Sequence, residues 1–99
     1  MPLAGLRGWL LLGGAGQLLF AESDIELSVP EHSHCDSWGV VIEGKLELTI
    51  GNQTRVYSRG DTYAAPAGVP HKIHIYPGLR AMEFFADPTP RYMTRPTSK

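Results

Sequence analysis

The sequence predicts an all-β domain, a small barrel or sandwich, from three observations. Apolar and polar residues alternate with a period of two in most segments, and no segment keeps the three-and-four spacing of an amphipathic helix. Eleven glycines and eight prolines interrupt the chain every few positions, which suits short strands and tight turns. The length of 99 residues predicts one domain over 1–99, with a loose C-terminal tail at 88–99.

Nine short segments carry the strand pattern. The clearest pair is Leu46–Ile50 and Thr54–Ser58, because these alternating runs flank Gly51-Asn52, a hairpin signal. The other candidates, in chain order, are Trp9–Leu12, Gln17–Ala21, Ile25–Ser28, Trp38–Glu43, Thr62–Ala65, His71–Tyr76 and Arg80–Ala86. Glycine and proline positions between them, Pro30 included, are expected to be breaks. Eight or nine short strands at near-regular spacing are typical of a sandwich or a barrel.

Charge and cysteine content narrow the function classes. The formal net charge is −1 and no run of Lys and Arg occurs, which argues against nucleic acid and against anionic membranes as partners. The single cysteine, Cys35, cannot form an internal disulfide, which fits a reducing cytoplasm. The apolar run Trp9–Leu12 has some likeness to a secretory signal, but the glycines that follow break it and Leu19 is a poor residue before a cleavage site at Ala21.

The four histidines form two close pairs, His32 with His34 and His71 with His74. Positions i and i+2 of a strand point the same way, so His32 and His34 share a face and are close enough to bind one ion. His71 is the natural third ligand because it follows the stretch Pro66–Pro70, which its two prolines stiffen. A His-x-His pair is a weak signal by itself, since a histidine is more often a surface or hydrogen-bonded residue than a ligand.

Two motifs in the right order resemble the cupin superfamily. The second family motif matches at every spacing from Gly60 through Pro66, Gly68 and His71, and Ile75 stands where the family has Asn. The first motif is represented by His32-Ser33-His34 followed by the stretch 35–44 that ends in Glu43-Gly44. The likeness to small single-domain cupins covers about residues 30–85. It implies a cupin β-barrel, also described as a jelly roll or double-stranded β-helix, with a divalent ion held by the three histidines.

One departure concerns the fourth ligand of the family. Ser37 occupies the position where cupins usually carry Glu, and a neutral hydroxyl is a poor and short ligand for a divalent ion. Three imidazoles would then leave an open coordination position, as in catalytic zinc or three-histidine iron sites. The metal, expected to be zinc, iron, manganese or nickel, is not specified by the residues. Loss of the metal, with only the barrel retained, is the competing interpretation.

Other residues are assigned by strand alternation. His74 is expected on the exterior, Glu43 in a turn, and Cys35 pointing away from the ion. Asp36 is an alternative to Ser37 as the fourth ligand, unless a turn changes its direction. Four side chains are expected to line the cavity: Trp38, Tyr63, Met82 and Phe84. The general acid or base candidates are Tyr63, Asp36 and Glu83.

Three functional hypotheses follow. The first is a metal-containing barrel that binds a small polar molecule, a sugar or a carboxylate, without turnover. The second is a small metal-dependent enzyme, an isomerase, lyase or dioxygenase, that uses the open coordination position. The third is a purely structural dimer. A homodimer is implied by the resemblance and agrees with Trp9–Leu12 and the segment 82–85, which are apolar on both faces.

Overall fold

The computed structural model describes residues 5–33 and 35–86, and within these ranges it contains strands and turns only. The strands are β1 (Leu6–Gly13), β2 (Gly16–Ser23), β3 (Leu27–His32), β4 (Ser37–Glu43), β5 (Lys45–Ile50), β6 (Gln53–Ser58), β7 (Thr62–Ala65), β8 (His71–Ile75) and β9 (Leu79–Phe85). His34 and the expected tail at 88–99 lie outside the described residues. In the described ranges no helix is long and apolar enough to cross a membrane.

The strands form two antiparallel sheets that face each other. The first sheet has the order β1-β2-β9-β4-β7 and the second has the order β3-β8-β5-β6. From β2 onward the chain passes repeatedly from one sheet to the other, and β9 closes the first sheet between β2 and β4. This is a jelly-roll barrel, which confirms the predicted all-β fold class.

The predicted hairpin is present as β5–β6. Ile50 pairs with Gln53, so Gly51 and Asn52 alone form the connection. Gly51 has a φ of +61°, a left-handed conformation that glycine adopts without the steric cost that a Cβ would impose. Beside the turn, the hydroxyls of Thr49 and Thr54 are 2.9 Å apart and link the two strands.

The expectation of a break at Pro30 was wrong, because Pro30 lies inside β3. Strand β3 is at the edge of its sheet, where the missing amide hydrogen of proline leaves no ladder partner unsatisfied. The pairing with β8 shifts register between Val29 and His32, which is a β-bulge or related irregularity. The third strand therefore continues four residues beyond the predicted Ser28 and ends at His32.

The core lies between the sheets and is built from the inward face of both. Its buried members are Val29, Val41, Leu46, Leu48, Tyr63, Ile75, Leu79 and Ala81. Val41 and Leu46 are 1% and 2% exposed, so they sit at the most enclosed part of this cluster. Alternation along each strand explains the set, since the neighbours of these residues in sequence point outward.

Truncation of Leu46 tests this core. We expect Leu46→Ala to lower the free energy of unfolding by about 2–5 kcal/mol, because the removed methyl groups leave a cavity that two facing sheets cannot close. Val56→Ala provides a matched control, because Val56 is 52% exposed on an edge strand of the same sheet and should change stability by less than about 0.5 kcal/mol. Urea denaturation measures both. Equal losses for the two variants would contradict the described core.

Candidate functional site

His71 is buried at the start of β8. Its side chain is 2% exposed, and its Nδ1 donates to the carbonyl oxygen of Val69 at 3.1 Å. The preceding loop is held in place by Asp36, whose carboxylate accepts a hydrogen bond from the Ala67 amide at 2.6 Å. Asp36 therefore positions the loop by binding its backbone. This contact explains the direction of its carboxylate without a role as metal ligand.

His32 ends β3 directly opposite His71. The two residues pair in the β3–β8 register, and their ring centroids are 4.4 Å apart. Nδ1 of His32 contacts the carbonyl oxygen of Pro30 at 2.8 Å. A carbonyl oxygen only accepts hydrogen bonds, so Nδ1 carries a proton in both rings. Each ring is thus oriented by the backbone carbonyl two residues before it, and its neutral form has the lone pair on Nε2.

The surroundings of His32 favour its neutral form. Burial lowers the pKa of His32, and the neighbouring His71 lowers it further. The contact with Pro30 and the charge of Glu83 act in the opposite direction, but the net effect is a lowered pKa. A neutral imidazole is the form that binds a metal ion, so the lowered pKa of His32 favours the form of this ring that can act as a ligand.

A carboxyl group also points into the barrel, from β9. The side chain of Glu83 points inward, and Oε1 accepts a hydrogen bond from the Tyr63 hydroxyl at 3.2 Å. Burial raises the pKa of Glu83, and its contacts with Ser37, Tyr63 and His32 offset this only in part. The protonated carboxyl is therefore more favoured here than in water.

Two small residues on β4 make room for this carboxyl. Gly39 pairs with Tyr63 on one side and with Glu83 on the other. A Cβ on Gly39 would lie 2.2 Å from Cζ of Tyr63, so only glycine lets the ring cross β4 toward Glu83. Ser37 is 1% exposed and points into the same region. Its Oγ is near the Glu83 carboxyl, but it forms no well-aligned hydrogen bond and is the buried side-chain polar atom in the described ranges of which this is true.

Comparison with known proteins decides the family. The family model of the cupin domain (Cupin_2) matches residues 16–86. The chain belongs to the cupin family. An uncharacterised protein of Streptomyces coelicolor is 39% identical over 49 residues, which cover 48% of this chain and 47% of that protein. The chain thus matches about half the length of this relative.

Solved structures share the cupin fold. The structure of KdgF from a Halomonas species superposes with a TM-score of 0.78 at 21% identity, covering 91% of this chain and 84% of that one. An RmlC-like cupin from Shewanella frigidimarina gives a TM-score of 0.78 at 20% identity, covering 91% and 82%. A cupin superfamily protein from Desulfitobacterium hafniense gives 0.76 at 16%, covering 87% and 81%. At these identities the likeness concerns the fold.

Cupins often bind metal ions, and the histidine pair of this cupin fits one. His32 and His71 are adjacent, both rings present Nε2, and both are oriented by a backbone carbonyl. The third expected ligand, His34, lies outside the described residues. Within the described ranges no three side chains of the ligand-forming types His, Cys, Asp and Glu come together closely enough to hold an ion. The structure thus unites two of the three expected ligands.

The interior cavity of this cupin begins next to His32. It has a volume of about 70 Å³ and is polar at one end, where His32, Tyr63 and Glu83 lie. The remaining wall is largely apolar and includes Val29, Leu19, Leu46, Ile73, Ile75, Leu79 and Ala81. Arg7, whose guanidinium is paired with Glu22 and Asp24, also lines the cavity. A few polar groups converging on an apolar pocket are the usual arrangement for binding a small molecule.

Of the four residues expected to line the cavity, Tyr63 does so and the other three do not. Trp38 and Phe84 are 50% and 36% exposed. Met82 is two positions from Phe84 on β9 and therefore lies with them on the outer face of the five-stranded sheet. The reason is parity: Ser37 on β4 and Glu83 on β9 face inward, so their neighbours in sequence face outward.

The sequence left the direction of Glu83 open because β9 is apolar on both faces. Leu79, Ala81 and Phe85 alternate with Met82 and Phe84, so hydrophobicity alone does not distinguish inside from outside. The combination of Ser37 and Gly39 on β4 was the available signal, since two consecutive small inward positions leave space that a larger neighbour must fill.

His74 lies on the exterior of β8, as expected from alternation. Its Nε2 is 2.6 Å from Oε2 of Glu26 and its Nδ1 is 2.8 Å from the Ser28 hydroxyl. The ring also meets Tyr76 edge-on, with centroids 4.9 Å apart. Both nitrogens of His74 are thus engaged outside the barrel, and this histidine serves as an internal comparison for the interior pair.

A Cβ at position 39 is expected to disturb the cavity. Gly39→Ala should lower the free energy of unfolding by about 1–3 kcal/mol, because the Tyr63 ring must move away from Glu83. Gly14→Ala is the control, since a Cβ there meets nothing within 4 Å. Chemical denaturation of both variants measures the difference. A cost for Gly39→Ala no larger than that for Gly14→Ala would contradict the close approach of Tyr63.

The buried carboxyl predicts a pH dependence of stability. Because the folded-state pKa of Glu83 is raised, metal-free protein should lose stability as pH rises from about 4.5, the unfolded value, through the folded value. Glu83→Gln should therefore stabilise chelator-treated protein relative to the wild type at pH 8 and have little effect near pH 4. Urea denaturation across this range measures the gain, with the exposed Glu31→Gln as control. A gain that does not grow with pH would refute the burial of this carboxyl.

Proposed function

We propose that this cupin binds one divalent metal ion through His32, His34 and His71 and a small polar molecule in the adjacent cavity. The observation that carries the proposal is the paired geometry of His32 and His71, in which both Nδ1 atoms donate to carbonyl oxygens. Two adjacent imidazoles that each donate from Nδ1 have their Nε2 atoms left for an ion, which is the arrangement that supports a shared metal site. The single cysteine agrees with a reducing cytoplasm as the place of action.

The residues around the cavity determine how the site would bind and polarise a small molecule. The ion, when bound, supplies positive charge that polarises an oxygen of the bound molecule. The apolar wall excludes water, while Tyr63 and Glu83 offer hydrogen-bonding groups at the polar end. Because burial favours the protonated form of Glu83, this carboxyl would donate a hydrogen bond to an anionic molecule instead of repelling it.

The size of the cavity favours a carboxylate over a sugar. Ligand pockets commonly enclose about 300–1,000 Å³, so a cavity of about 70 Å³ favours the smaller of the two ligand classes. A short oxo or hydroxy acid has roughly half as many non-hydrogen atoms as a hexose. We therefore propose a short oxygenated acid as the ligand class.

Metal binding is tested by titration of chelator-treated protein with Zn²⁺, Mn²⁺, Ni²⁺ and, anaerobically, Fe²⁺. We expect one ion per chain for at least one of these metals, and a loss of affinity of about 100-fold or more in His71→Ala and in His32→Ala, because each removes a ligand atom. His74→Ala is the matched control and should keep the wild-type affinity, since this ring lies outside the barrel. Equal affinity in the wild type and in both interior variants would refute the proposed site.

Ligand size is tested on the metal-loaded protein by calorimetry with pyruvate, lactate and gluconate. Pyruvate or lactate should bind and gluconate should not, because only the short acids match the cavity. Leu79→Trp, which would fill the apolar wall, should abolish binding without removing the metal. Binding of gluconate with the same affinity as lactate would contradict the size limit.

One observation favours enzymatic turnover as a second candidate function. Glu83 and Tyr63 form a hydrogen-bonded carboxyl–phenol pair at the same end of the cavity as His32. In ionised form Glu83 accepts a proton from a carbon next to a carbonyl, which leaves the electron pair on the substrate as an enolate and makes Glu83 a neutral acid that later returns the proton. The Tyr63 hydroxyl stabilises the carboxylate form of Glu83 before the transfer and after the return. Such a transfer is the first step expected of an isomerase or a lyase.

Exchange of the pyruvate methyl protons in deuterated water, followed by NMR on metal-loaded protein, tests this second candidate. The wild type should accelerate exchange, Glu83→Gln should abolish the acceleration, and Tyr63→Phe should reduce it by about 10-fold or more. His74→Ala should behave as the wild type. Acceleration that survives Glu83→Gln would exclude Glu83 as the base.

A further inference from the structure

Three polar side chains meet on the outer face of the four-stranded sheet, on the side away from the barrel interior. Ser28 and His74 pair in the β3–β8 register, and the Ser28 hydroxyl is 2.8 Å from Nδ1 of His74. Nε2 of the same ring is 2.6 Å from Oε2 of Glu26. We call these three residues the exterior triad. A hydroxyl, an imidazole and a carboxylate joined in this order are the parts of a nucleophilic serine site.

The contacts of His74 give each of its ring nitrogens a different role. A carboxylate oxygen only accepts hydrogen bonds, so Nε2 carries the proton that Glu26 accepts. In the neutral ring Nδ1 then has the lone pair and accepts a hydrogen bond from the Ser28 hydroxyl. This tautomer is the reverse of that in His32 and His71, whose Nδ1 atoms donate. His74 therefore directs a basic nitrogen at a hydroxyl, whereas the interior rings leave theirs for an ion.

The exterior triad is accessible to a substrate. The side chains of His74 and Glu26 are 34% and 56% exposed, and Ser28 is exposed as well. Strand β3 is at the edge of its sheet, and within the described ranges no further strand of this sheet covers Ser28 on the side away from β8. A carbonyl group can therefore approach Oγ of Ser28 from solvent without a change in the fold.

Two neighbouring residues on β8 and beyond it support such a reaction. Lys72 is two positions from His74, so it shares the outer face, and it is the diagonal neighbour of Ser28 across the strand pair. A long side chain reaches its diagonal neighbour, so the Lys72 ammonium can stabilise negative charge that develops on a carbonyl oxygen beside Ser28. The Tyr76 ring meets His74 edge-on, with centroids 4.9 Å apart, and its hydroxyl donates to Glu47 at 3.2 Å. This packing restricts the imidazole, as a general base requires.

We propose that the exterior triad is a serine acyl-transfer site for carboxylic esters, with Ser28 as nucleophile, His74 as general base and Glu26 as positioning residue. Oγ of Ser28 forms a bond to the ester carbonyl carbon while its proton passes to Nδ1 of His74. The bond between the acyl carbon and the alcohol oxygen then breaks, and His74 gives the proton to that leaving oxygen. Water cleaves the acyl-serine by the same path: its oxygen bonds the acyl carbon, its proton passes through His74, and the Ser28 hydroxyl is restored.

The charges around the exterior triad favour an uncharged ester. Glu47 pairs with His74 in the β5–β8 register, so a second carboxylate lies on this face beside Glu26. Two cations balance them: Lys72 on β8 and Lys45, whose Nζ is 4.7 Å from the centroid of the Tyr76 ring. Two acidic and two basic side chains attract neither an anion nor a cation strongly, so we assign the site to neutral esters.

The exterior triad is independent of the interior histidine pair. His71 and His74 are three positions apart on β8, so their side chains point to opposite faces of the sheet. The acyl transfer needs neither the ion nor the cavity, and its failure would leave the proposed function untouched. Metal affinity and pyruvate exchange are measured at the interior site, so His74→Ala remains a valid control for both.

Hydrolysis of p-nitrophenyl acetate by the full chain tests the proposal. The wild type should release p-nitrophenolate at least about 100-fold faster than Ser28→Ala or His74→Ala, because each variant lacks the nucleophile or its base. Mass spectrometry of the quenched reaction should find the acetyl group on Ser28. Glu26→Gln should lower kcat by about 10-fold and leave KM unchanged, because Glu26 orients His74 without touching the ester.

Ser58→Ala is the matched control. Ser58 is an exposed serine on β6 of the same sheet, but β5 separates it from β8, so this variant should hydrolyse the ester as fast as the wild type. Circular dichroism checks that every variant is folded. Hydrolysis inside the barrel, or direct acetylation of lysines, would survive Ser28→Ala. A wild type no faster than Ser28→Ala, an acetyl group on lysines and not on Ser28, or an unchanged kcat in Glu26→Gln would overturn the proposal.

Discussion

The position of His32 opposite His71 is the constraint on which the candidate site depends. The two residues are 39 positions apart in sequence, and the β3–β8 pairing brings them together. The irregular register after Val29 allows β3 to continue past Pro30 and to end with His32 beside the interior. The backbone then fixes each ring through the carbonyl two residues earlier. Sheet pairing therefore determines both the distance between the imidazoles and the atoms that they present.

The polar end of the cavity results from missing volume on β4. Ser37 and Gly39 contribute almost no side chain at two successive inward positions, and Tyr63 and Glu83 occupy the space from the strands on either side. The family usually supplies a carboxylate from the position of Ser37. Here a carboxyl is present in the same region but comes from β9, and its contact with Tyr63 holds it within the barrel. The departure at Ser37 thus alters the source of the acidic group without making the interior apolar.

The fold was predictable because alternation and turn residues are local signals. Each of the nine strands overlaps a predicted segment, β3 by Leu27 and Ser28 alone, and Gly51-Asn52 forms the expected hairpin turn. The prediction of a break at Pro30 was wrong because proline destabilises a strand only where its missing amide hydrogen would pair with a neighbour. Whether a strand is at an edge is a property of the assembled sheet. The direction of Glu83 and the outward position of Trp38 were not predictable for a related reason: a strand that is apolar on both faces carries no sign of which face is buried. The histidine motif could be recognised in the sequence. The positions of Tyr63 and Glu83 at the polar end could not, because they depend on which strands are neighbours in the sheet.

His74 has a consequence for the strand on which His71 lies. The two histidines are an odd number of positions apart, so a slip of β8 by one residue would turn His74 into the barrel and His71 out of it. Such a slip would separate His74 from Glu26 and Ser28 and bury its ring beside Val29 and Leu48. The loss of these exterior contacts and the burial of the ring both disfavour the misaligned sheet. His74 on the exterior thus helps to keep the imidazole of His71 in the interior.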